Sequence, residues 1–561
     1  MALNPNTEPG VLYDEVLDQS RRPVFLLDFT WAGRTFRVAT EPITLTTADG
    51  TISYRSGLTS PEYRSALDDG IGQSFSVEVV IPVDVALWRR RGHDLADAAA
   101  SLSLVTGKEF PPFMSVDQNW EDRIRVMSGD VVDSAYGDPE QPEGWLSFVA
   151  RQRTFDDWAR LVESDARVDE QTWASAPVNS IGKVYPIVVG APGPYQKISR
   201  GALDEVGATP AYVVLDNAID TITLLIAGHP VEAATVTVFD ESETATGTHE
   251  SFNVAHELDG LGNLVATVNI FGAGTIDNTD TRFWVAWNGG GGKSNPFAKG
   301  TLRGAGDVIL WALALTALEV DHKVWAVVAP FLNRIKIDTY INDADATPWD
   351  WLADHVLPLF PNLAIVQGHQ GLMPILLDPD VQTGQAIREV TLGRDWARVG
   401  PVVQRGSKRD VRTEWWIEFG KDHRVGTYTR RRVLKAPIDI EDDEQITSLH
   451  ASVARRRYTD RPQSDPPLIW TETSDVIYDE TSAEQLLYLQ SRFGGFLFED
   501  ANYEADMVYG TINVGDMIAI TDSEIHAVGR MARVTGKEWL GMSWLFQVQF
   551  QEDPIRDRKS A

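Results

Sequence analysis

Apolar residues along this chain fall mostly in short runs bounded by Gly, Pro, Asn and Asp, and several of the runs alternate with a period of two. That is the pattern of antiparallel sheets and barrels rather than of long helices. Val24 to Phe29, Thr35 to Ala39, Phe75 to Ile81 and Trp145 to Val149 predict strands of a first β region. The cleanest alternation lies near the other end, from Trp544 to Gln551. There Phe546, Val548 and Phe550 share one face and Gln547, Gln549 and Gln551 the other, so one side is buried and the other wet or interfacial. Met517 to Thr521 and Ala532 to Thr535 are expected beside it.

Between these regions lies a second block of strands, expected at Val184 to Val189, Ile222 to Ile226, Thr235 to Phe239 and Leu264 to Ile270. It closes on the glycine run Gly289 to Gly292, which reads as a loop or linker. Helical character follows. Asp307 to Leu318 is rich in Ala, Leu and Trp, and Thr347, Pro348 and Asp350 supply an N-cap, a first-turn proline and a first-turn acid for a helix running to about Leu357. Leu363 to Gln367 and Leu372 to Leu377 then read as a hairpin about Gly368 to Gly371, with further strands at Trp415 to Phe419 and Gly426 to Val433. Two more helix starts are expected, at Thr154 with Asp157 and at Ser482 with Gln485, the latter stopping near Gly494.

These shifts predict a mainly β, multidomain fold of barrel or sandwich domains plus a small α/β domain. The expected order is an N-terminal arm (1–22), a first β domain (23–180), an inserted β domain (181–300), an α/β domain (301–445) and a last β domain (446–561). At 561 residues several cores are required. No short-period repeat suggests a solenoid or propeller.

Composition narrows the function classes. Lys and Arg number 50 against 81 Asp and Glu, a formal charge of −31, which disfavours tight binding to phosphate backbones or anionic lipid. With no cysteine, disulfides, thiolate metal sites, iron–sulfur clusters and thiol nucleophiles are excluded. The first ten residues lack the basic and apolar regions of a secretory signal, and Val308 to Val320, interrupted by Glu319, is too short to span a bilayer. A soluble protein made in the cytoplasm is therefore expected, without a stable membrane span.

Candidate chemistry is weak throughout. Gly289 to Gly292 followed by Lys293 and Ser294 imitates the end of a phosphate-binding loop, but Trp287 stands where the signature needs its first glycine, and Pro296 follows. Asn342, Asp343 and Asp345 imitate the start of a calcium loop without its later glycine and glutamate. Of ten histidines His249 and His256 are the closest pair, seven apart, and none forms the two-histidine helical pair typical of zinc peptidases. The acid clusters Asp156–Asp157 and Asp439 to Glu444 read as solvated faces, not a glycosidase pair. Tryptophans such as Trp349 with Trp351 and Trp415 with Trp416 fit packing or subunit contacts better than sugar platforms. No catalytic, cofactor or metal residue is assigned, and an enzyme is not expected.

Three blocks carry a resemblance: Val184-Tyr185-Pro186-Ile187-Val188-Val189-Gly190; the unit Trp349 to Leu377 with Gly371-Leu372-Met373-Pro374-Ile375; and Val514-Gly515-Asp516-Met517 followed by Gly529-Arg530-Met531-Ala532-Arg533-Val534. In these the chain resembles the baseplate hub proteins at the tail tip of long-tailed bacteriophages and gene transfer agents. The resemblance implies that domains 23–180 and 446–561 are tube-like and that the chain forms a homotrimeric, pseudo-sixfold ring in the virion. Its implied partners are the tail tube, distal tail proteins, a central fibre or tip protein and the tape-measure protein, with DNA passing through the lumen unbound. The alternative is a glycan-binding or glycan-degrading tail protein.

Overall fold

The computed structural model describes residues 21–550 apart from short internal segments, the longest being 67–73, 109–117, 152–159, 194–207, 241–249, 272–281, 377–387 and 437–444. Residues 1–20 of the expected arm, the expected helix at Thr154, both acid clusters, His249, Gly289 and Gly290 lie outside the described residues, while Arg21 and Arg22 begin the first strand. The fold is mostly β, in several sheets with a small helical component.

The first module contains β1 (Arg21–Trp31), β2 (Arg34–Ala39), β3 (Ile43–Thr47), β4 (Gly50–Ser56), β5 (Glu62–Ala66) and β6 (Ser74–Val80). A short helix α1 (Val85–Arg90), capped by Asp84, leads to β7 (Ala99–Lys108), β8 (Gln118–Asn119), β9 (Ile124–Tyr136) and β10 (Trp145–Arg151). Antiparallel ladders run in the order β2–β1–β7–β9–β10–β6. The end of β4 closes this run, pairing in parallel with β2 at Val38 and Ala39, after which Leu58 bridges to Val79 of β6. Gly57 makes the closure possible: its φ is +145°, and a Cβ there would meet the Val80 carbonyl oxygen at 2.8 Å.

In the middle of the chain β11 (Ile187–Val189) leads into a barrel of β12 (Thr209–Asn217), β13 (Thr221–Ala227), β14 (Thr235–Asp240), β15 (Glu250–Leu258), β16 (Leu264–Phe271) and β17 (Phe283–Trp287). It closes in the order β12–β13–β16–β15–β14–β17 around Val236, Val268 and Trp287. The strand expected from Val184 begins only at Ile187, because Pro186 has no amide proton to give a ladder.

A helical layer follows: α2 (Ala305–Ala314), α3 (His322–Leu332), β18 (Thr339–Ile341), which pairs with β11, and α4 (Pro348–Trp351). Thr347 caps α4 as its sequence predicts, its hydroxyl accepting from the Asp350 amide at 3.0 Å, and the helix continues through a π-helical turn to Leu359. The hairpin is β19 (Leu363–Gly368) and β20 (Gly371–Leu376).

β21 (Arg388–Thr391), β22 (Trp396–Arg398) and β23 (Val403–Arg405) then leave this layer. β24 (Glu414–Asp422), β25 (Thr427–Lys435), β26 (Gln445–Thr447) and β27 (Ile469–Thr473) form a four-stranded sheet in the order β26–β25–β24–β27, with α5 (Leu449–Tyr458) between its last two strands in sequence. α6 (Glu480–Gly494) packs on β24 and β25. Its cap is Asp479 rather than Ser482: one Asp479 oxygen accepts from both the amide and the hydroxyl of Ser482.

The chain finishes with β28 (Phe498–Asp506), β29 (Met517–Asp522), β30 (Ala527–Trp539) and β31 (Ser543–Phe550). These take back the strands left waiting, in a circuit β21–β29–β30–β31–β28–β22 that the turn at Gly393 completes. Trp544, Phe546, Val548 and Phe550 all point inward and Gln547 is exposed, as the alternation predicts. Phe546→Ala should therefore cost about 3–5 kcal/mol and Gln547→Ala less than about 0.5 kcal/mol in denaturant titrations.

Candidate assembly seam

The first module and the last are not separate bodies. β5 pairs antiparallel with the far half of β30, Arg64 opposite Glu538, Ser65 opposite Lys537 and Ala66 opposite Gly536, so one sheet passes from one circuit into the other. Behind the ladder the cores merge into a single cluster from Phe25 through Phe148 to Phe546. Aromatic rings line the crossing. Phe25 meets Trp539 edge-on at 5.5 Å, Trp539 tilts against Trp544 at 4.7 Å, and Tyr63 stands edge-on to Trp544 at 6.3 Å.

Within this apolar crossing sits a lysine. A register shift between Val534 and Gly536 moves Lys537 onto the buried side of β30, where its Nζ lies 4.3 Å from the centre of the Trp544 ring. Burial draws its pKa down to about 7, against the charge of Asp516, which pulls it up. Asp516 is itself held in its turn by accepting from the Asn513 amide at 2.7 Å.

A second polar cluster joins the central barrel to the helical layer and the four-stranded sheet. Arg303 grips the fully buried Asp338 through two bonds, Nε to Oδ1 at 2.6 Å and Nη2 to Oδ2 at 2.8 Å, and the Ala191 amide donates to the same Oδ1 at 2.7 Å. Burial alone would lower the Arg303 pKa, but the Asp338 bond and charge outweigh it and the net shift is upward. Gly190 is required here, since a Cβ would stand 2.1 Å from that carboxylate oxygen. The Asp338 amide donates onward to the Val476 carbonyl at 2.8 Å, beyond β27.

Around this point Tyr478 donates to the Lys421 carbonyl at 2.9 Å, Tyr340 donates to Tyr212 at 3.1 Å, and His423 lies edge-on to Tyr340. Burial, helped by Lys421, brings His423 down to about 4, so it is neutral near pH 7. His355 and Asp475 pair at 3.1 Å; that bond raises the imidazole, and for Asp475 it reverses the upward pull of burial. These charges and hydroxyls are satisfied by one another, which rigidifies a junction.

The cleft of ≈ 290 Å³ between α6 and the last circuit is lined by Phe493, Phe498, Met517, Arg533, Gln490 and Gln549 among others and carries no carboxylate among the described residues. Its guanidinium already donates to Gln549 at 3.1 Å. Among the described residues no group of three or more His, Asp or Glu is placed to hold a metal ion.

Residues singled out from sequence take structural places. Gly291 and Gly292 are buried, not a free linker: a Cβ on Gly292 would meet the Val188 carbonyl at 2.5 Å, and the amides of Gly292 and Lys293 bond to Gly190 and Val188. Those amides are therefore committed to backbone pairing instead of to a phosphate. Asn342, Asp343 and Asp345 lie in an exposed turn where Asp343 accepts from the Asp345 amide at 2.9 Å. His256 accepts from the Val231 amide at 3.2 Å, while the buried His229 accepts from Val188 at 3.0 Å and is lowered to about 4 by burial and by Lys293. Trp351 and Trp415 are buried in the helical core, Trp349 packs against it, and Trp416 stacks under Arg431 at 5.0 Å.

No protein-family model matches the chain, and no curated protein matches it either. Among solved structures it is similar to the 43 kDa tail protein of prophage MuSo2 from Shewanella oneidensis, at 9% identity and a TM-score of 0.35, over 94% of this chain and 98% of that one. It is also similar to a chain of the virion of a native gene transfer agent particle, at 12% identity and 0.38, over 69% and 89%. A third is prophage tail protein gp18 from Listeria monocytogenes EGD-e, at 8% identity and 0.21, over 66% and 96%. These scores are too low to carry a functional argument, which rests instead on this chain's own residues.

Two outcomes follow from the seam and the junction. Lys537 keeps its proton in the unfolded chain up to about pH 10.5 but loses it near pH 7 when folded, so its burial penalty is full below pH 7 and fades as pH rises towards 10. Lys537→Met should stabilise at pH 7, with the gap to the natural protein shrinking in denaturant titrations up to pH 10. Arg303→Met, which leaves Asp338 buried without its cation, should cost about 3–5 kcal/mol in the same assay.

Proposed function

We propose that this protein is a structural subunit of a bacteriophage tail tip: a baseplate hub that works as a homotrimeric ring, not an enzyme. The observation that carries the reading is the seam. One chain presents two β circuits side by side in one continuous sheet, so three copies would supply six such units around an axis and match a sixfold tube above them. Mechanical continuity around a pore needs joints that do not hinge, and the merged aromatic core and the Arg303–Asp338 junction provide them.

The three blocks that carry the family resemblance support it in a second way, because two of them meet in space. The Gly515 turn donates from its amide to the Val534 carbonyl at 2.7 Å and packs directly on Ile375 of the hairpin. In such a ring the subunit would join the tail tube and distal tail proteins to a central fibre or tip protein, sit below the tape-measure protein, and belong to the virion after assembly in the host cytoplasm. The formal charge of −31 would let DNA slide through the lumen without sticking. Native mass spectrometry should find a species of three times the 62.2 kDa chain, with threefold rings in negative-stain images. A monomer at high protein concentration would contradict the ring.

A further inference from the structure

The four-stranded sheet ends on β27, which pairs with β24 on one side and with no described strand on the other. Natural edge strands are usually blunted by charged side chains, proline, a bulge or extreme shortness, because a row of open amides and carbonyls invites another chain. β27 has no proline and no bulge, and its one charge is Glu472. Its five residues, Ile469-Trp470-Thr471-Glu472-Thr473, are mostly β-branched or aromatic, against only three residues in the opposite edge β26.

The ladder fixes which groups are open. The Leu468 carbonyl accepts from Thr413 and the Ser474 amide donates to Glu418, so the even-numbered residues turn their backbone groups towards β24. Except for the Thr473 amide, which bonds to Glu472, the amides and carbonyls of Ile469, Thr471 and Thr473 point outward and are open by the alternation of a parallel ladder. Their side chains are also exposed, whereas Trp470 and Glu472 share the half-buried face. Glu472 is raised by that burial, against a bond from the Thr473 amide, and among the described residues no cation is paired with it.

We propose that β27 is a docking edge that accepts an extended strand of another protein, one carrying a lysine or arginine opposite Glu472. Strand addition takes its affinity from main-chain bonds and its selectivity from alternate side chains. The open ladder here supplies the first and Glu472, which no described cation neutralises, the second. The inference does not rest on the tail reading, since it concerns one edge of one sheet and not the assembly state.

Site-resolved amide exchange tests it, using a short capped peptide of alternating threonine and valine with one central lysine, and its counterpart with glutamate. The lysine peptide should slow exchange at Ile469 and Thr471 and bind about two- to fivefold more tightly than the glutamate peptide. Glu472→Gln should erase that preference. Thr471→Pro removes only an outward amide, so it should abolish the protection while leaving the circular dichroism and melting temperature unchanged. Three results would overturn the proposal: outward amides that already exchange as slowly as those of Trp470 and Glu472 in the free protein, protection that grows with protein concentration alone because a second copy covers the edge, or peptide binding that survives Thr471→Pro.

Discussion

Three residue pairs between β5 and β30 decide what kind of object this protein is. Without them the first and last modules would be two barrels tethered through more than two hundred intervening residues. With them the ladder is continuous and the aromatic residues behind it, Phe25, Tyr63, Trp539 and Trp544, form one interior in which neither half can be repacked alone. The buried Lys537 marks the cost of the arrangement, because a residue that favours water lies where the two sheets cross.

The intervening residues are held by a different device. The central barrel and the helical layer meet where Asp338 is enclosed by Arg303, the Ala191 amide and the bare backbone of Gly190, and the same segment reaches the four-stranded sheet through Val476. A buried pair of this kind adds little to net stability but strongly disfavours alternative packings in which either charge would be stranded. Aromatic crossing and ionic junction together describe a molecule organised for rigidity, and the described lining of the cleft between α6 and the last circuit mixes apolar side chains with two glutamines and one guanidinium rather than acids.

Much of this was legible in the sequence, and for identifiable reasons. β31 announced itself because strict alternation has one meaning, and α4 because Thr347, Pro348 and Asp350 each satisfy a separate requirement of a helix start. What could not be read depends on partners distant in sequence. β21 to β23 are weak, short strands whose pairing with β28 and β29 is set about a hundred residues later. Helix α3 was missed because Pro330 lies inside it, and Gly291 and Gly292 looked like a linker because close backbone approach and flexibility select the same residue. Of the seam, Lys537 gave no signal, since only the bulge after Val534 turns it inward, and at the junction Asp338 lies in a stretch that also holds Lys336 and Thr339, where an acid draws no notice.

The central claim is that the two β circuits behave as one body through β5 and β30. Native-state hydrogen exchange across a denaturant series tests it most directly, by following amides of β6 and β10 in the first circuit and of β28 and β31 in the last. The account predicts that the slowest amides of both sets merge onto a single opening isotherm with one free energy and one denaturant dependence. Two separate isotherms, with either circuit opening while the other stays protected, would contradict it.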